Sequence, residues 1–398
     1  MDMKSCKRVR PRRSSQAKVR IMDLPTCILV EIFKRLPVKT ILQCRTLNKT
    51  FSKFLTEPDF LNAHQKQQPL AILLEPLVRV VVTDKYARPL RFLEFGHEQG
   101  EVGFTSGKSM RANIKPIRGN FYVVGSCNGL VCIEHYFGSC PEFRSNVLIC
   151  NPILGERQIL PEGRNVDDDM ITSGFGVDPS TNLYKVLLVH SDIGGKSYSE
   201  IFTVGVDVNW RILEMVNCPY VLDPQGLLFR GAMHWMARER TSNTRIAVFI
   251  YAFDIGEERF RSIMAPPLDM ETNKARSLLV LRNCICISSF AYHDSHELDI
   301  WRMKEYGVVE SWSKEYSIRE NWVSRCCMAL LEKVSSVKIW GREDDSVLVS
   351  ISTSEFVCCN LDQRKHTKLE IANIKQLEVE CTFLPSLVPL RNLFTGRA

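Results

Sequence analysis

A pattern of paired strands recurs between residues 121 and 371 and limits the folds that are open to this chain. Five stretches share one plan, in which an apolar strand, a polar turn and a return strand follow one another. The turns fall at residues 151, 207, 254, 304 and 362. An earlier hairpin precedes each turn, the first around Asn128-Gly129, a dipeptide typical of tight hairpin turns. Two hairpins in about 50 residues predict a four-stranded unit, the blade of a β-propeller.

Further strand patterns extend this domain at both ends. Residues 70–115 contain three of them, at Leu70–Leu74, Leu77–Val82 and Leu90–Phe95. The C-terminal stretch Val379–Leu393 is predicted to close the ring by pairing with an N-terminal strand. The chain is therefore predicted to be mostly β, with a β-propeller-like domain over residues 70–394. We expect five to seven blades, with six favoured.

Residues 21–66 have the apolar period of helices instead. Asp23-Leu24-Pro25 has the composition of a helix start, because Asp can cap a helix and Pro is tolerated in its first turn. Ile28, Ile32 and Leu36 then recur every four residues. This spacing predicts one helix with an apolar face, ending before the next proline.

Two shorter helices are predicted after Pro37, at Thr40–Cys44 and Lys49–Leu55, and Pro58 is predicted to end the second of these. A three-helix module of about 45 residues buries too little surface to be comfortably stable alone. Its first helix nevertheless carries several large apolar side chains, and burying each is worth about 1.5–3 kcal/mol. Two interpretations remain open: the apolar face docks onto another protein as a helix in a groove, or it packs onto the strand domain.

The net charge of +7 is concentrated in the first 20 residues, which hold eight Lys or Arg and one acidic residue, Asp2. The rest of the chain is balanced, so nothing predicts broad contact with nucleic acid. We predict that residues 1–20 form a basic disordered arm, which is either a nuclear-import signal or a solvated extension. No apolar segment follows this arm, and no apolar run approaches the roughly 18 residues of a membrane helix. We therefore expect a protein of the nucleus, the cytoplasm or both, with no membrane partner.

The fifteen cysteines are scattered, and none forms a C-x-x-C pair. In a chain without a secretion signal, we predict reduced thiols that act mostly as small apolar strand residues. No cysteine lies in a motif that would lower its pKa. The sequence therefore does not predict a catalytic thiol.

Two clusters have the residue types of a metal site. His293 and His296 lie three residues apart, near Asp294 and Asp299, in a segment predicted to be a polar hairpin. Asp167-Asp168-Asp169 could hold a cation, but it follows a proline in a segment predicted to be an acidic loop. Solvated loops explain both clusters more simply than metal binding does.

No motif of nucleophilic or nucleotide chemistry is complete. His234 follows a glycine turn and is predicted to be a packed strand residue rather than a general base. Gly174-Phe175-Gly176 lacks the third glycine and the following helix of a nucleotide loop. No Gly-x-Ser-x-Gly elbow is present. We predict no catalytic residue, no cofactor and no metal.

Short motifs in residues 22–64 follow a fixed order. They are Leu24-Pro25, Ile28-Leu29, Glu31-Ile32-Phe33, Arg35-Leu36-Pro37-Val38-Lys39, Leu42, Cys44-Arg45 and Pro58-Asp59-Phe60. This order resembles the F-box that opens the large plant F-box family with a C-terminal F-box-associated, Kelch-like domain. Members of that family often have Trp in the third helix, where this chain has Phe51.

The strand domain carries motifs that resemble the same family. In order, they are Gly125-Ser126-Cys127-Asn128-Gly129-Leu130, Asn151-Pro152, Gly174-Phe175-Gly176-Val177-Asp178, Tyr184-Lys185-Val186, Gly231-Ala232-Met233-His234-Trp235, Asp299–Gly307 and Ser311-Trp312. Together with the F-box motifs, they extend the resemblance over most of residues 22–390.

The resemblance implies a non-catalytic subunit of an SCF-type ubiquitin ligase. Its F-box would bind a Skp adaptor, which bridges to a cullin scaffold, and its propeller would hold a protein target for ubiquitination and proteasomal degradation. The adaptor contact is then expected at Leu24, Pro25, Ile28, Ile32, Leu36, Pro37, Val38 and Leu42. The alternatives are a propeller scaffold that works without an adaptor and, less favoured, a propeller enzyme, which would need convergent polar groups in its channel.

Target recognition is expected on loops of one propeller face, because strands hold position while loops vary. Three long polar segments are candidates: Glu162–Ile171, Ser191–Ser199 and Arg238–Arg245.

Overall fold

The computed structural model of the chain describes most of the residues from 21 to 394. These are residues 21–68, 71–76, 87–88, 90–95, 106–114, 117–118, 120–137, 144–163, 169–191, 197–213, 219–222, 225–240, 246–268, 274–291, 297–319, 338–341, 346–350, 356–363, 365–371 and 377–394. The chain divides into two compact units, Met1–Gln67 and Gln68–Ala398. The predicted basic arm, residues 1–20, lies outside the described residues.

The first unit contains a short 3-10 turn and four α-helices rather than the three that the sequence predicted. The turn spans Ile21–Asp23, and the helices are α1 (Thr26–Phe33), α2 (Val38–Arg45), α3 (Lys49–Phe54) and α4 (Pro58–Gln65). The sequence predicts that Pro58 ends the third helix, and in the structure Pro58 is also the first residue of α4. A proline is tolerated there because its missing N–H would have no partner at the first helical position. α1 ends three residues before Leu36, since the residue that precedes a proline avoids the helical conformation.

Aromatic rings form the core of this helical unit. The ring of Phe33 lies 5.6 Å from that of Phe51 and 6.0 Å from that of Phe54, and Phe54 lies 5.2 Å from Phe60. Phe51, which stands where the family often has Trp, is therefore a buried core residue here. His64 connects α4 to the segment that follows α1. Its Nε2 lies 3.0 Å from the carbonyl oxygen of Leu36 in that segment.

The second unit consists of short strands and begins with five of them. These are β1 (Ala71–Pro76), β2 (Ala87–Arg88), β3 (Arg91–Phe95), β4 (Ser106–Arg111) and β5 (Ile117–Arg118). β2 and β5 form a separate two-stranded ladder, while β1, β3 and β4 lie side by side. The predicted strand Leu77–Val82 lies outside the described residues, as does Leu70.

Five consecutive sheets follow, and we number them blades 1 to 5. Blade 1 contains β6 (Asn120–Cys127), β7 (Leu130–Phe137), β8 (Arg144–Asn151) and β9 (Glu156–Ile159). Blade 2 contains β10 (Asp169–Val177), β11 (Tyr184–Ser191), β12 (Ser197–Thr203) and β13 (Arg211–Ile212). Blade 3 contains β14 (Tyr220–Val221), β15 (Leu227–Phe229), β16 (Ala232–Arg240), β17 (Ile246–Asp254) and β18 (Arg259–Met264). β14 and β15 both pair with β16, so together they act as one interrupted first strand.

Blades 4 and 5 complete the series. Blade 4 contains β19 (Lys274–Leu281), β20 (Cys284–Ala291), β21 (Glu297–Met303) and β22 (Trp312–Arg319). Blade 5 contains β23 (Lys338–Gly341), β24 (Ser346–Ser350), β25 (Phe356–Asn360) and β26 (Lys365–Ile371). In the sequence, Val347 to Phe356 has the pattern expected of the first hairpin of this blade. In the structure, this stretch connects the second strand to the third. The true first strand, Lys338–Gly341, is only four residues long, so the sequence gives no clear pattern for it.

The last strand, β27 (Leu377–Phe383), pairs with β1 and completes a sixth blade. The pairing is antiparallel and runs from Ala71 opposite Phe383 to Pro76 opposite Leu377. The order β4-β3-β1-β27 therefore combines N-terminal and C-terminal strands in one sheet. β4 also pairs in parallel with β26, which joins blade 6 to blade 5. The described residues thus form six blades, and the predicted closure of the ring by the C-terminal stretch is confirmed.

The alternating strand directions give each blade two edges. Connections between first and second strands and between third and fourth strands, such as Asn128-Gly129 and the turn after Asp254, meet at an edge that we call the turn face. We call the opposite edge the loop face. It contains the strand ends on either side of each second-to-third connection and on either side of each link between blades. Asn128 and Gly129 have φ angles of 49° and 80°, the left-handed conformation that tight hairpin turns require.

The segment after β27, residues 384–394, ends in the short helix α5 (Arg391–Phe394) and binds to the turn face of blades 1 and 2. The Nδ2 of Asn151 donates to the carbonyl oxygens of Ser386, at 3.1 Å, and Val388, at 2.9 Å. The Oδ1 of Asn151 accepts from the backbone N–H groups of the two residues after Pro152, at 2.9 and 3.1 Å. Leu390 is buried in the core between these two blades.

Asn151→Ala is expected to lower the free energy of unfolding of the propeller by about 2–4 kcal/mol, because it removes four hydrogen bonds from a fully buried side chain and leaves their partners unsatisfied. Urea denaturation of the full chain measures the change. Gln158→Ala is the control, since Gln158 lies on the same blade and is exposed. Equal stability of the two variants would contradict this role of Asn151.

Candidate functional site

The predicted adaptor-binding residues extend from just before α1, through the segment that joins α1 to α2, to the middle of α2. Ile28 and Ile32 lie one turn apart on α1, and 44% and 39% of their surfaces are exposed. We call these two residues the apolar ridge. Leu29 and Phe33 are the buried residues of the same helix, so α1 uses separate positions for the core and for the surface.

The other predicted residues differ in exposure. Pro25 and Pro37 are exposed, while Leu24, Leu36 and Leu42 are half-buried. Val38, in contrast, is only 2% exposed and belongs to the core of the helical unit. The structure therefore brings seven of the eight side chains to the surface, wholly or in part, and assigns Val38 to packing.

Charged residues occupy the surface of α1 beside the ridge. The Nζ of Lys34 lies 2.5 Å from one carboxylate oxygen of Glu31, and the NH2 of Arg35 lies 2.9 Å from the other. The hydrogen bond from Lys34 holds the pKa of Glu31 below its usual value. The apolar ridge is therefore followed in the sequence by a group of paired charges at the end of α1.

All three predicted target loops arise from the loop face. Glu162–Ile171 follows the last strand of blade 1, whereas Ser191–Ser199 and Arg238–Arg245 join second to third strands in blades 2 and 3. Residues 164–168, 192–196 and 241–245 lie outside the described residues. The described strand ends that flank these segments lie at the same edge of three consecutive blades.

Sequence reasoning missed a set of aromatic pairs at this edge. Blade 1 has Tyr122 against Tyr136, with ring centroids 5.6 Å apart, and blade 2 has His190 stacked on Tyr198 at 5.4 Å. In blade 3, the guanidinium of Arg238 lies 4.3 Å from the ring centroid of Tyr220. Strand register brings each pair together, so only an alternation of aromatic residues near strand ends could have indicated them.

These pairs differ in how far they reach the surface. Tyr122 and Tyr220 are exposed, at 56% and 62% of their surfaces, while His190 and Tyr198 are buried. Exposed Tyr and Arg are the residue types that most often dominate binding energy at protein interfaces. The loop face of blades 1 to 3 therefore has the composition of a protein-binding surface.

The turn face is held together by polar contacts between neighbouring blades. Asn128 Nδ2 donates to the hydroxyl of Tyr184, at 3.1 Å, which joins blades 1 and 2. The Nζ of Lys185 lies 2.8 Å from Glu258 Oε1, which joins blades 2 and 3. Arg211 also pairs with Glu258, at 2.7 Å, and its hydrogen bond lowers the pKa of that carboxylate.

The same pattern continues around the ring. Tyr306 of blade 4 contacts His234 of blade 3, with its hydroxyl 2.6 Å from Nε2. Arg282 of blade 4 pairs with Asp362 of blade 5 at 2.8 Å. Several of these residues belong to the motifs that resemble the F-box-associated family, and their contacts show that they join blades.

His234, which the sequence predicts to be a packed strand residue rather than a general base, is fully buried in β16. Its Nδ1 lies 3.2 Å from the carbonyl oxygen of Leu227, which can only accept, so Nδ1 carries the proton. Nε2 then accepts from the Tyr306 hydroxyl. Burial lowers the pKa of His234 to about 4, so the ring is neutral at pH 7 and both of its nitrogens are occupied.

The other candidates for chemistry do not converge. Asp299 forms an ion pair with Lys314 across blade 4, with Oδ2 and Nζ 2.8 Å apart. His293, Asp294, His296, Asp167 and Asp168 lie outside the described residues. Within the described part of the chain, no three His, Cys, Asp or Glu side chains are grouped as metal ligands, and no helix is long and apolar enough to cross a membrane.

The remaining sequence candidates also have structural explanations. Gly174 and Gly176 lie in β10, where a Cβ on Gly174 would approach the Sδ of Met233 to 2.2 Å. They are therefore packing positions. Burial raises the pKa of the thiols of Cys127, Cys150 and Cys286 to about 12, so these cysteines are neutral thiols at pH 7.

The architecture is that of a two-part protein, with a small helical unit that has an apolar ridge and a propeller with a loop-bearing face. Comparison with known families agrees with this description. A family described as the F-box associated beta propeller domain matches residues 104–390, and the F-box domain matches residues 21–62. The chain therefore belongs to the F-box proteins with an F-box associated β-propeller domain.

Its relatives include several proteins of Arabidopsis thaliana. The chain is 27% identical to F-box protein At3g07870 over 319 residues, which cover 74% of this chain and 72% of that protein. It is 23% identical to F-box protein CPR1 over 382 residues, 87% of this chain and 84% of the relative. It is 24% identical to F-box/kelch-repeat protein At3g23880 over 359 residues, 84% of this chain and 92% of the relative. The family resemblance drawn from the motifs is thus confirmed.

The burial of His234 predicts an acid-dependent loss of stability. Its pKa is about 4 in the folded chain and about 6.5 when unfolded. The unfolded state therefore binds a proton first as the pH falls, and the stabilisation present above pH 6.5 is lost between about pH 6.5 and 4. Relative to His234→Gln, the wild-type free energy of unfolding should fall by about 3 kcal/mol more over this range. Parallel pH profiles from urea denaturation of the two chains would contradict the assignment.

Proposed function

We propose that this protein is a substrate-recognition subunit of an SCF-type ubiquitin ligase. The helical unit binds a Skp-type adaptor, which bridges to a cullin scaffold, and the propeller binds a protein that is ubiquitinated and sent for proteasomal degradation. The observation that carries the proposal is the exposed apolar ridge, Ile28 and Ile32, on a unit that matches the F-box. Exposed aliphatic residues one helical turn apart are the anchors by which a helix binds a protein groove.

The proposed role in ubiquitination is positional rather than catalytic. A receptor that holds a target beside a charged ubiquitin-conjugating enzyme raises the local concentration of target lysines, which reaches the millimolar range for short flexible connections. The described thiols with resolved shifts have raised pKa values, so a thioester role is not part of the proposal. We place this activity in the nucleus, the cytoplasm or both, without a nucleic-acid or membrane partner.

Two groups of residues have different roles in the proposed adaptor contact. The ridge, with exposed Pro25 and Pro37 beside it in sequence, supplies the contact area. Half-buried Leu24, Leu36 and Leu42 contribute their exposed atoms. Buried Val38 supports the start of α2 and acts on the adaptor only through that support.

Replacing both ridge residues, Ile28→Ala with Ile32→Ala, is expected to weaken binding of a Skp-type adaptor by about 30-fold. The two truncations remove roughly 2 kcal/mol of apolar contact at the interface. Isothermal titration calorimetry with purified adaptor measures the affinity. Because neither side chain is among the buried residues of α1, thermal unfolding of the variant should change little.

The matched control is Met264→Ala, which truncates a similarly exposed apolar side chain, 54% exposed, in the propeller. It should bind the adaptor as the wild type does. Undiminished adaptor binding by the ridge variant would defeat the proposed adaptor contact. It would favour the alternative of a propeller scaffold that works without an adaptor.

The proposed target-binding surface is the loop face of blades 1 to 3. Three candidate loops arise there, and Tyr220 and Arg238 form an exposed cation–π pair beside one of them. The turn face, by contrast, is committed to contacts between blades and to the C-terminal segment. A target that binds the loop face leaves those structural contacts intact.

The ridge variant provides a trap for targets, because a receptor that cannot recruit the ligase holds its target without degrading it. Adding Tyr220→Ala and Arg238→Ala to this trap should remove most captured protein, as each residue is of the type that contributes about 2 kcal/mol or more at interfaces. Affinity purification followed by quantitative mass spectrometry measures the loss. Val208→Ala is the control, since Val208 is 80% exposed in a connection on the turn face. Target capture that depends on Val208 and not on the pair would overturn the choice of face.

A further inference from the structure

The centre of the propeller contains a cavity of about 160 Å³ that the proposed function does not use. Blades 1, 3, 4 and 6 all contribute to its walls. The polar side chains that line it are Ser126, Gln225, His234, Arg276, Ser277 and Thr382. The cavity thus lies where the first strands of the ring converge.

The described residues that line this cavity carry positive charge and no negative charge. Arg276, near the start of the first strand of blade 4, is the only charged residue among the described side chains that line it. Ser126 and Thr382, whose side chains carry hydroxyl groups, line the same space from blades 1 and 6. A guanidinium in a partly buried site attracts anions more strongly than it does in water, because the surrounding dielectric is low.

Two of these polar residues already make hydrogen bonds within the propeller. Both ring nitrogens of His234 are engaged, by Leu227 and Tyr306. The Nε2 of Gln225 donates to the carbonyl oxygen of Val123, at 3.1 Å, and so connects blade 3 to blade 1. These residues shape the wall, which leaves Arg276 and the hydroxyl groups as the groups suited to a ligand. Arg276 carries five N–H donors, so it can bind an anion while it keeps a contact with the protein.

The volume limits the size of that ligand. A cavity of roughly 150 Å³ in another protein is large enough to hold a benzene molecule, and a water in the liquid occupies about 30 Å³. The central cavity therefore accommodates a molecule of about six to eight non-hydrogen atoms.

We propose that the central cavity binds a small organic carboxylate or phosphate anion. Arg276 provides the opposite charge and a planar pair of donors, and the hydroxyls of Ser126 and Thr382 donate to the remaining oxygens. The inference is independent of the adaptor contact, since every residue involved lies in the propeller.

The test is calorimetric titration of the full chain with malonate and, separately, with inorganic phosphate, at constant ionic strength. One-site saturable binding of at least one anion is expected. Arg276→Gln should weaken it about tenfold or more, because a hydrogen bond to a charged group is lost, and Arg276→Lys should restore part of the affinity. Arg282→Gln is the control, as Arg282 follows the same strand but pairs with Asp362 on the turn face; it should bind as the wild type does.

Thr382→Val keeps the shape of the wall and tests the site if Arg276→Gln does not fold. It should weaken the same anion severalfold. Absence of saturable binding to both anions by the wild-type chain would overturn the proposal. Binding that neither Arg276→Gln nor Thr382→Val changes would also overturn it, because the anion would then lie elsewhere.

Discussion

The propeller depends on one physical constraint: a sheet whose two faces are both apolar is stable only when neighbouring sheets cover both. Blade 2 illustrates this. Along one strand, Val186 and Leu188 belong to the core shared with blade 1, while Leu187 and Val189 belong to the core shared with blade 3. Such a series of sheets has no stable end, so it must close on itself. The pairing of the last strand with the first strand of the domain provides this closure.

Closure also explains why the two edges of the ring differ. On the turn face, connections are short, and polar side chains such as Lys185 and Arg282 reach across to the next blade. These contacts fix the angle between neighbouring blades, so the side chains that make them have little freedom to change. The loop face has no such requirement, because the cores and the turn face already hold the strands. Tyr220 and other exposed aromatic residues are therefore tolerated there and become available to a partner.

The helical unit also has more apolar surface than its own elements can cover, but it leaves part of that surface exposed. Four short helices bury Phe33, Phe51, Phe54 and Phe60 against one another. Too few elements remain to cover every apolar residue of the first helix, so Ile28 and Ile32 stay exposed. In an F-box unit, this incomplete coverage is the property on which the proposed adaptor contact rests.

Turn dipeptides, apolar periodicity and ordered motifs are local signals, and they were enough to predict a helical unit, the repeated hairpins and the family. The adaptor contact that the family resemblance implies included the exposed residues Ile28 and Ile32 but also buried Val38, since a motif does not separate a core position from an exposed one. Three features became visible only in the folded chain: Pro58 begins a fourth helix, blade 6 combines both ends of the domain, and aromatic pairs lie together on the loop face. These features depend on contacts between residues far apart in the chain, such as Ala71 with Phe383, and no local pattern encodes such contacts.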